Sequence, residues 1–180
     1  GWQDQIISQY GGLVKIKIDK KSKLNIKKIK ISSKIKKTIH NHLLLVYTKI
    51  KRESSKVVLS QKKREEKIIR YYDKIKNLNK FLINALQSKN SEVLADIFKE
   101  HWEYKKKLSN QMTSKSINIL FEKLIRKYNF SGGKLVGAGG GGFFLMVTKN
   151  KKSVIKRLKK DRIGFIDFKV ENIGSRIIES

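Results

Sequence analysis

Between Gly132 and Gly142 the chain carries seven of its twelve glycines, and apolar, β-forming residues lie on both sides of them. Residues without a Cβ atom adopt positive φ angles freely, so consecutive N–H groups in such a segment can converge on an anion. A phosphate group can also approach the main chain closely there. The segment therefore predicts a loop between two strands that binds a phosphate.

Two other phosphate-binding patterns do not fit this segment. Gly137, Gly139 and Gly142 match Gly-x-Gly-x-x-Gly, but a dinucleotide site needs a helix directly after the glycines, and the apolar run that follows predicts a buried strand. A Walker loop ends in Gly-Lys-Ser or Gly-Lys-Thr, whereas two phenylalanines follow the last glycine here. A glycine loop between two strands remains, and a glycine hairpin without a ligand is the alternative.

The net charge of +28 points first to nucleic acid or an acidic membrane surface. However, only seven of the 43 basic residues are Arg, proline is absent, and Lys, Ile and Asn are abundant, which is typical of an AT-rich genome. Many lysines also alternate with isoleucine, and this alternation predicts that they lie on the solvated faces of strands. Genome composition and exposed faces therefore explain most of the charge.

The absence of cysteine excludes disulfides and thiolate metal sites. No apolar run has the length of a membrane span, so a membrane partner is not expected, and the cytoplasm is the expected location. The first residue is Gly1 rather than methionine, and the chain begins inside a motif described below. We therefore expect a fragment of a longer protein.

The first half of the chain predicts a helix, a hairpin and a strand. Residues 1–12 predict a short helix ended by a glycine pair, with Asp4 in its first turn. Alternating Ile and Lys predict a hairpin of strands at 13–18 and 24–31. After a polar segment at 32–41, the apolar residues 42–48 predict a strand near the centre of a sheet.

Three helical patterns come next, the first at 55–87 and the second preceded by an N-cap candidate within 88–91. The positions predicted to face the core are Ile68, Ile69, Tyr72, Ile75, Leu82, Ala85 and Leu86 in the first, Leu94, Ile97, Phe98, His101 and Leu108 in the second, and Ile117, Leu120, Phe121, Leu124, Ile125 and Tyr128 in the third. His101 on such a stripe predicts a satisfied core histidine rather than a metal ligand. After the glycine loop, a basic helix at 151–160 and closing strands at 164–170 and 174–178 complete an α+β pattern.

The glycine segment reads Gly132-Gly133-Lys134-Leu135-Val136-Gly137-Ala138-Gly139-Gly140-Gly141-Gly142-Phe143. This sequence resembles the third signature motif of the GHMP small-molecule kinases, a family that includes galactokinase, homoserine kinase and mevalonate kinase. Three further motifs resemble the heptose 7-phosphate kinase branch of the family. They are Gly1-x-Gln3-Asp4-Gln5 before Tyr10-Gly11-Gly12, Tyr47-Thr48 followed by Arg52 with Lys49 in place of a glycine, and Trp102-Glu103-x-Lys105-Lys106-x-Leu108-Ser109.

The resemblance implies a domain organisation. Residues 1–60 would end the N-terminal, catalytic domain of a GHMP kinase, and residues 61–180 would form its ferredoxin-like C-terminal domain. The family's main ATP loop, a proline-led Gly-Leu-Gly-Ser-Ser segment, does not occur in these residues. The missing N-terminal half of the same enzyme is therefore an expected partner, and the fragment alone is expected to be inactive.

The resemblance also implies a reaction in carbohydrate metabolism, the transfer of the γ-phosphoryl group of ATP, with Mg²⁺, to the anomeric hydroxyl of a heptose 7-phosphate. It makes Asp4 the catalytic residue that faces this hydroxyl, and it implies no metal ligand within the segment. The implied ligands of the ATP phosphates are Gly137, Ala138, Gly139, Gly140 and Gly141. Those of the sugar phosphate substrate are Gln3, Thr48, Arg52 and Lys106, the last within a cluster of Lys105, Lys106 and Lys107.

Two alternatives stay open. The first is another GHMP kinase, galactokinase-like or phosphomevalonate-kinase-like, against which the Trp-Glu-x-Lys-Lys motif argues. The second is a basic nucleic-acid-binding module on a kinase-like domain. Such a module would bind DNA or RNA with an affinity that falls steeply with salt concentration.

Overall fold

The computed structural model describes residues 2–19, 21–51 and 66–177. In these ranges the chain forms six helices and six strands. The helices are α1 (Trp2–Tyr10), α2 (Ser33–His42), α3 (Glu66–Gln87), α4 (Ser91–Lys106), α5 (Lys115–Tyr128) and α6 (Lys151–Lys160). The strands are β1 (Leu13–Ile18), β2 (Leu24–Ile29), β3 (Leu43–Tyr47), β4 (Gly132–Leu135), β5 (Phe143–Val147) and β6 (Phe165–Ile166).

The chain begins with α1 and the antiparallel β1–β2 hairpin, as predicted. Gly11 and Gly12 follow α1 with φ angles of 61° and 68°, values that glycine adopts without strain. In the hairpin turn, the Asp19 carboxylate accepts hydrogen bonds from the N–H groups of Lys21 (2.8 Å) and Lys23 (2.9 Å). The local sequence therefore accounts for both turns.

The polar segment after β2 forms a helix, α2, which its composition does not indicate. The Ser32 hydroxyl caps the start of α2 by accepting a hydrogen bond from the Ile35 N–H (3.3 Å). Ile35 and Ile39, one helical turn apart, are buried together with Thr38, while the lysines between them are exposed. Two apolar residues at helical spacing are too few to distinguish such a helix from a polar connection.

The central sheet has four antiparallel strands in the order β4-β5-β3-β6. β3 lies inside the sheet, between β5 and β6, as its nearly continuous apolar sequence predicted. From β3 onward the order is strand, helices, two strands, helix and strand, which is the ferredoxin-like arrangement with extra helices in the first crossover. The predicted α+β fold class is confirmed.

The main hydrophobic core lies between the sheet and the helices α4, α5 and α6. Trp102 of α4, Phe121 of α5 and Phe144 of β5 form its centre, and their ring centroids are 5.3 to 6.4 Å apart. Their tilted and edge-on arrangements are those that aromatic rings favour. Because the three residues come from distant parts of the sequence, this cluster ties α4 and α5 to the sheet.

The helical pattern of α3 is confirmed, but its inner face is turned relative to the prediction. Ile69 and Tyr72, predicted to lie inside, are 49% and 42% exposed. Tyr71 packs against the core instead, beside the correctly predicted Ile68 and Ile75. Neighbouring pairs of isoleucines and tyrosines fit either side of a helix, so packing decides the face. The predicted helix start near residue 55 lies outside the described residues.

The end of the chain differs from the predicted closing strands at 164–170 and 174–178. Within the described part of these segments only Phe165–Ile166 forms a strand, β6, at the edge of the sheet beside β3. The following residues run along α1 instead, where the Ser175 N–H donates to the Ser8 carbonyl (2.8 Å). These residues therefore make part of their main-chain hydrogen bonds to the end of α1 rather than to a neighbouring strand of the sheet.

The predicted domain boundary at residues 60 and 61 lies outside the described residues. β3, which precedes that boundary, pairs with β5 and β6, which follow it. No helix in the described ranges is both long and apolar enough to cross a membrane.

Phe144→Ala is expected to destabilise the protein by about 3–5 kcal/mol, because it removes a fully buried ring and leaves a cavity beside Trp102 and Phe121. Phe81→Ala is the matched control, since that ring is 59% exposed on α3, and we expect it to cost less than about 0.5 kcal/mol. Urea titrations followed by circular dichroism give both free energies of unfolding. Equal losses in the two variants would contradict the assignment of the core.

Candidate functional site

The loop of the β4–β5 hairpin, residues 136–142, contains five glycines, and all five have positive φ angles. The angles are 73° at Gly137, 109° at Gly139, 73° at Gly140, 152° at Gly141 and 91° at Gly142. Residues with a Cβ atom rarely adopt such values. The predicted glycine loop between two strands is confirmed, and its path favours glycine at each of these positions.

Two of these glycines also lie very close to other atoms of the protein. A Cβ atom at Gly139 would overlap the sulfur of Met112, and one at Gly141 would overlap the main-chain oxygen of Ile50. At Gly142 the space is open, with no atom within 4 Å of such a Cβ. The loop is therefore held closely between the segment after α4 and the segment after β3.

Hydrogen bonds join the loop to the same two segments. The Gly140 N–H donates to the Met112 carbonyl (2.9 Å), and the Gly142 N–H donates to the Ile50 carbonyl (3.2 Å). Both N–H groups are thus used within the protein, although Gly140 is one of the predicted phosphate ligands. The Val136 N–H at the start of the loop is used in the same way, since it donates to the Phe143 carbonyl (2.9 Å).

Thr48, a predicted site residue, lies directly against the loop. Its hydroxyl donates to the Gly142 carbonyl (2.9 Å) and accepts from the Ile50 N–H (3.2 Å). Lys49, which replaces the glycine of the motif, has a left-handed φ of 58°. The turn therefore survives the replacement, at the cost of some backbone strain.

Lys105 is the lysine that reaches the glycine loop. Its ammonium group donates to the carbonyl oxygens of Gly137 (2.6 Å) and Leu135 (3.0 Å). The sequence prediction missed this contact by favouring the neighbouring Lys106. A signal for it was present, because Lys105 follows His101 by four residues and therefore lies on the inward side of α4.

Lys106 has other partners. Its ammonium group pairs with the Glu103 carboxylate (2.6 Å) and lies 5.8 Å from the centre of the Trp102 ring. The ammonium group of Lys107 lies 5.4 Å from the centre of the Tyr71 ring. The three consecutive lysines therefore contact three different parts of the molecule.

His101 lies on the inner side of α4, near the ammonium groups of Lys105 and Lys134. Its Nδ1 atom is buried and has no hydrogen-bond partner in the ranges that the structure describes. Burial first, and then the charges of Lys134 and Lys105, lower the pKa of His101 to about 3. Burial also lowers the pKa of Lys134, whose ammonium lies 5.1 Å from the Phe98 ring. The prediction of a satisfied histidine is therefore wrong at Nδ1, and the fold holds the imidazole neutral among cations.

Asp4 and Gln3 lie on α1 and are exposed. The Asp4 main-chain carbonyl accepts a hydrogen bond from the Ser8 hydroxyl (2.8 Å), and within the described part of the chain its carboxylate has no such bond. No hydrogen bond in that part joins α1 to the glycine loop. Arg52 lies outside the described residues. The structure thus brings Thr48 to the loop and places Asp4 and Gln3 on a separate element.

Residues 2–19, 21–51 and 66–177 contain no group of three His, Asp or Glu side chains that could hold a metal ion. A polar cleft of about 430 Å³ lies at the other end of β5 from the glycine loop, and its lining includes Lys99, Thr148 and Arg157. Lys149 and Glu92, which also line it, form an ion pair. No predicted site residue lines this cleft.

The relatives and structural neighbours of the chain are kinases of the GHMP family, and the mixed α/β fold of the chain is similar to theirs. No family model matches the chain. A D-glycero-alpha-D-manno-heptose 7-phosphate kinase of Campylobacter jejuni is 27% identical over 178 residues, which cover 97% of this chain and 52% of that protein. The resemblance predicted from the motifs is confirmed.

A bifunctional fucokinase/GDP-fucose pyrophosphorylase of Arabidopsis thaliana is 30% identical over 182 residues, which cover 96% of this chain and 17% of that protein. The solved structure of L. major mevalonate kinase in complex with R-mevalonate matches with a TM-score of 0.72 at 20% identity, covering 96% of this chain and 53% of that one. The match to the mevalonate kinase structure shows the fold of this chain. The chain spans about half the length of the heptose kinase and the mevalonate kinase.

Gly141→Ala is expected to lower the free energy of unfolding by about 2–4 kcal/mol, because it adds both a strained φ and an overlap with the Ile50 carbonyl. Gly142→Ala is the matched control. It also has a positive φ but open space around the new methyl group, so we expect a loss of about 1–2 kcal/mol. Urea denaturation measures both, and a smaller loss in Gly141→Ala than in Gly142→Ala would refute the close contact.

His101 is expected to make the folded state less stable as the pH falls. Its pKa is about 3 in the folded protein and about 6.5 in an unfolded chain, so between these values the unfolded state binds the additional proton. The contribution is fully present above pH 6.5 and decreases below it, by at most about 1.4 kcal/mol per pH unit.

The measurement is urea denaturation between pH 8 and pH 5 of the wild type and of His101→Gln. The variant is expected to lose much of the pH dependence in this range. His40→Gln, on the exposed side of α2, is the control and should keep it. An unchanged slope in His101→Gln would show that the imidazole is not held neutral by the fold.

Proposed function

We propose that this chain is part of an ATP-dependent sugar kinase of the GHMP type, which phosphorylates the anomeric hydroxyl of a heptose 7-phosphate. The observation that carries the proposal is the glycine hairpin, whose five positive-φ glycines and bound lysine build a main-chain surface suited to phosphate. The similarity to a heptose 7-phosphate kinase over 97% of the chain supports the choice of substrate.

The proposed reaction forms a bond between the acceptor hydroxyl oxygen and the γ-phosphorus of ATP. The bond from that phosphorus to the bridging oxygen of ADP breaks, and ADP leaves. Asp4 accepts the proton of the hydroxyl group. Catalysis of phosphoryl transfer rests mainly on positioning and on stabilising charge on the transferred oxygens, which fixed N–H donors and an ammonium group can supply.

The loop fits a phosphate group at Gly142, where no atom lies within 4 Å of the place that a Cβ atom would take, so that the main chain can be approached closely. In this proposal Mg²⁺, which neutralises phosphate charge when bound, is not held by side chains of this segment.

The remaining predicted residues would bind the sugar phosphate. Gln3 directly precedes Asp4 on α1, and Arg52 would offer a bidentate contact to a phosphate. The Thr48 hydroxyl makes two hydrogen bonds and keeps one oxygen lone pair for a ligand. Lys106 keeps N–H donors beyond those used by Glu103.

The proposal includes a further segment of the same enzyme. The chain spans 52% of the heptose kinase that it resembles, and the family's main ATP loop is not among its residues. We therefore assign tight ATP binding to the longer protein, in the cytoplasm, and expect residues 1–180 alone not to turn over.

Another GHMP kinase is the second candidate, because the mevalonate kinase fold matches with a TM-score of 0.72. The motif from Trp102 to Ser109 favours the heptose kinase instead. The discriminating experiment measures ADP release by the natural full-length protein with heptose 7-phosphate, galactose and phosphomevalonate. Turnover only with galactose or phosphomevalonate would replace the proposed substrate, and turnover with none would overturn the kinase assignment.

Asp4→Asn in the natural full-length enzyme is expected to lower kcat by about 10²–10⁴-fold, because the amide cannot accept the proton of the sugar hydroxyl. The KM for ATP should change little. Asp73→Asn, an exposed carboxylate on α3, is the matched control and should keep the wild-type kcat. Full activity of Asp4→Asn would remove Asp4 from the proposed mechanism but would not contradict the fold.

A further inference from the structure

The polar cleft at the end of β5 opposite the glycine loop has the size of a small-molecule site. Its volume of about 430 Å³ lies within the range of about 300–1,000 Å³ that such sites occupy. Its walls come from α4, from α6, and from the two connections that join α5 to β4 and β5 to α6. The main chain of both connections is fixed, since the Ser131 N–H donates to the Val147 carbonyl (2.8 Å) and the Thr148 N–H donates to the His42 carbonyl (2.9 Å).

Thr148 gives this cleft a buried hydrogen-bond donor. The residue is only 1% exposed, and its Oγ1 atom accepts a hydrogen bond from the Asn150 N–H (3.2 Å). Among the residues that the structure describes, nothing accepts the hydroxyl hydrogen of Thr148. A buried donor without an acceptor costs about 1–3 kcal/mol. A ligand in the cleft with an acceptor atom would remove that cost.

Three other polar side chains of the cleft keep hydrogen-bonding groups for a ligand. The Ser131 hydroxyl and the Asn129 carboxamide make no hydrogen bond within residues 2–19, 21–51 and 66–177. The Asn150 carboxamide oxygen caps α6 by accepting from the Ser153 N–H (3.1 Å), which leaves its NH₂ group for other acceptors. Hydroxyl and amide groups of this kind suit the hydroxyl groups of a polyol.

The charged residues of the cleft leave one positive charge over. Two lysines and two carboxylates of the lining are paired with each other, Lys99 with Asp96 at 3.5 Å and Lys149 with Glu92. Arg157 is the fifth charged residue of the lining.

Arg157 has no carboxylate partner in the part of the chain that the structure describes. Its guanidinium donates to the Lys127 carbonyl at 3.3 Å and to the Ser153 hydroxyl at 3.5 Å, and both distances are long for hydrogen bonds. A guanidinium group binds carboxylate and phosphate groups through two parallel N–H donors. The cleft therefore combines one free cation with uncharged polar groups.

We propose that this cleft is a second ligand site, separate from the glycine loop, which binds a small polyol that carries one phosphate or carboxylate group. Arg157 binds the anionic group, and Thr148, Ser131 and Asn129 bind the remaining oxygen atoms. A bare inorganic anion would leave most of the volume and most of these polar groups unused. The proposal does not depend on the kinase function proposed above.

The test is binding to the natural full-length protein, followed by NMR at the side-chain NH₂ group of Asn129. Labelling with nitrogen-15 asparagine makes this signal visible, and its loss in Asn129→Gly identifies it. Glycine adopts the φ of 59° at this position without strain, so the variant keeps the turn. The probes are glucose 6-phosphate, with a phosphate group, and gluconate, with a carboxylate. Glucose and inorganic phosphate each supply only part of the proposed chemistry.

At least one of the two polyol anions is expected to shift the Asn129 signal and to bind about tenfold more tightly than glucose or inorganic phosphate. Which of them binds identifies the anionic group. Arg157→Gln should weaken this binding about tenfold or more, because it removes a charged donor. Thr148→Val should weaken it about two- to tenfold, and Thr148→Ser, which keeps the hydroxyl, should restore it.

Lys156→Gln is the matched control. It removes the same charge from an exposed position on α6 that does not line the cleft, so the affinity should stay unchanged. Equal weakening in Lys156→Gln and Arg157→Gln would assign the binding to the general positive charge of the surface and overturn the proposal.

The other contrary results are as clear. Inorganic phosphate that binds as tightly as both polyol anions would mean an adventitious ion only. No shift of the Asn129 signal with either polyol anion at millimolar concentration would show that the cleft is not a site for this class of ligand. Unchanged affinity in Arg157→Gln or in Thr148→Val would also overturn the proposal.

Discussion

The close approach of α4 to β4 is the contact on which the rest of the structure depends. A Cβ atom at Gly132 would lie 2.6 Å from the Ala95 carbonyl oxygen, so the helix can lie this near only because the strand begins with glycine. From that position α4 carries Trp102 into the aromatic core and Lys105 to the loop. The glycine run therefore has two duties: its first residues permit helix–sheet packing, and its later ones form the loop.

The electrostatics of the loop differ from those of the rest of the surface. Elsewhere, lysines such as Lys127 pair with carboxylates, here Asp161 at 2.6 Å. Near the loop, Lys105 donates to carbonyl oxygens and Lys134 lies over the Phe98 ring. His101, which stays neutral, adds no charge. Both lysines therefore link α4 to β4 and to the start of the glycine loop.

Residues with a strong local signal were predicted correctly. The glycine loop, the β1–β2 hairpin and the central strand β3 follow from glycine content, alternation and a continuous apolar run. The helix α2 was missed because it has too few apolar residues to show a helical pattern. The inner face of α3 was misplaced because its apolar residues occur in neighbouring pairs, which fit either side of the helix. The contact between Lys105 and Gly137 joins residues 32 positions apart, and only tertiary packing decides which of three adjacent lysines makes it. Spacing could predict the elements around the site but not which partners meet there.

The contact between residue 175 and α1 joins two parts of the chain that are far apart in sequence. Ser175 bonds to Ser8, 167 positions away, and the helix rise of about 1.5 Å per residue puts Trp2 within about 9 Å of Ser8 along the axis. Helix α1 and the last residues that the structure describes are therefore held by one another. A change that loosens α1 would also release the segment around residue 175 from the rest of the fold.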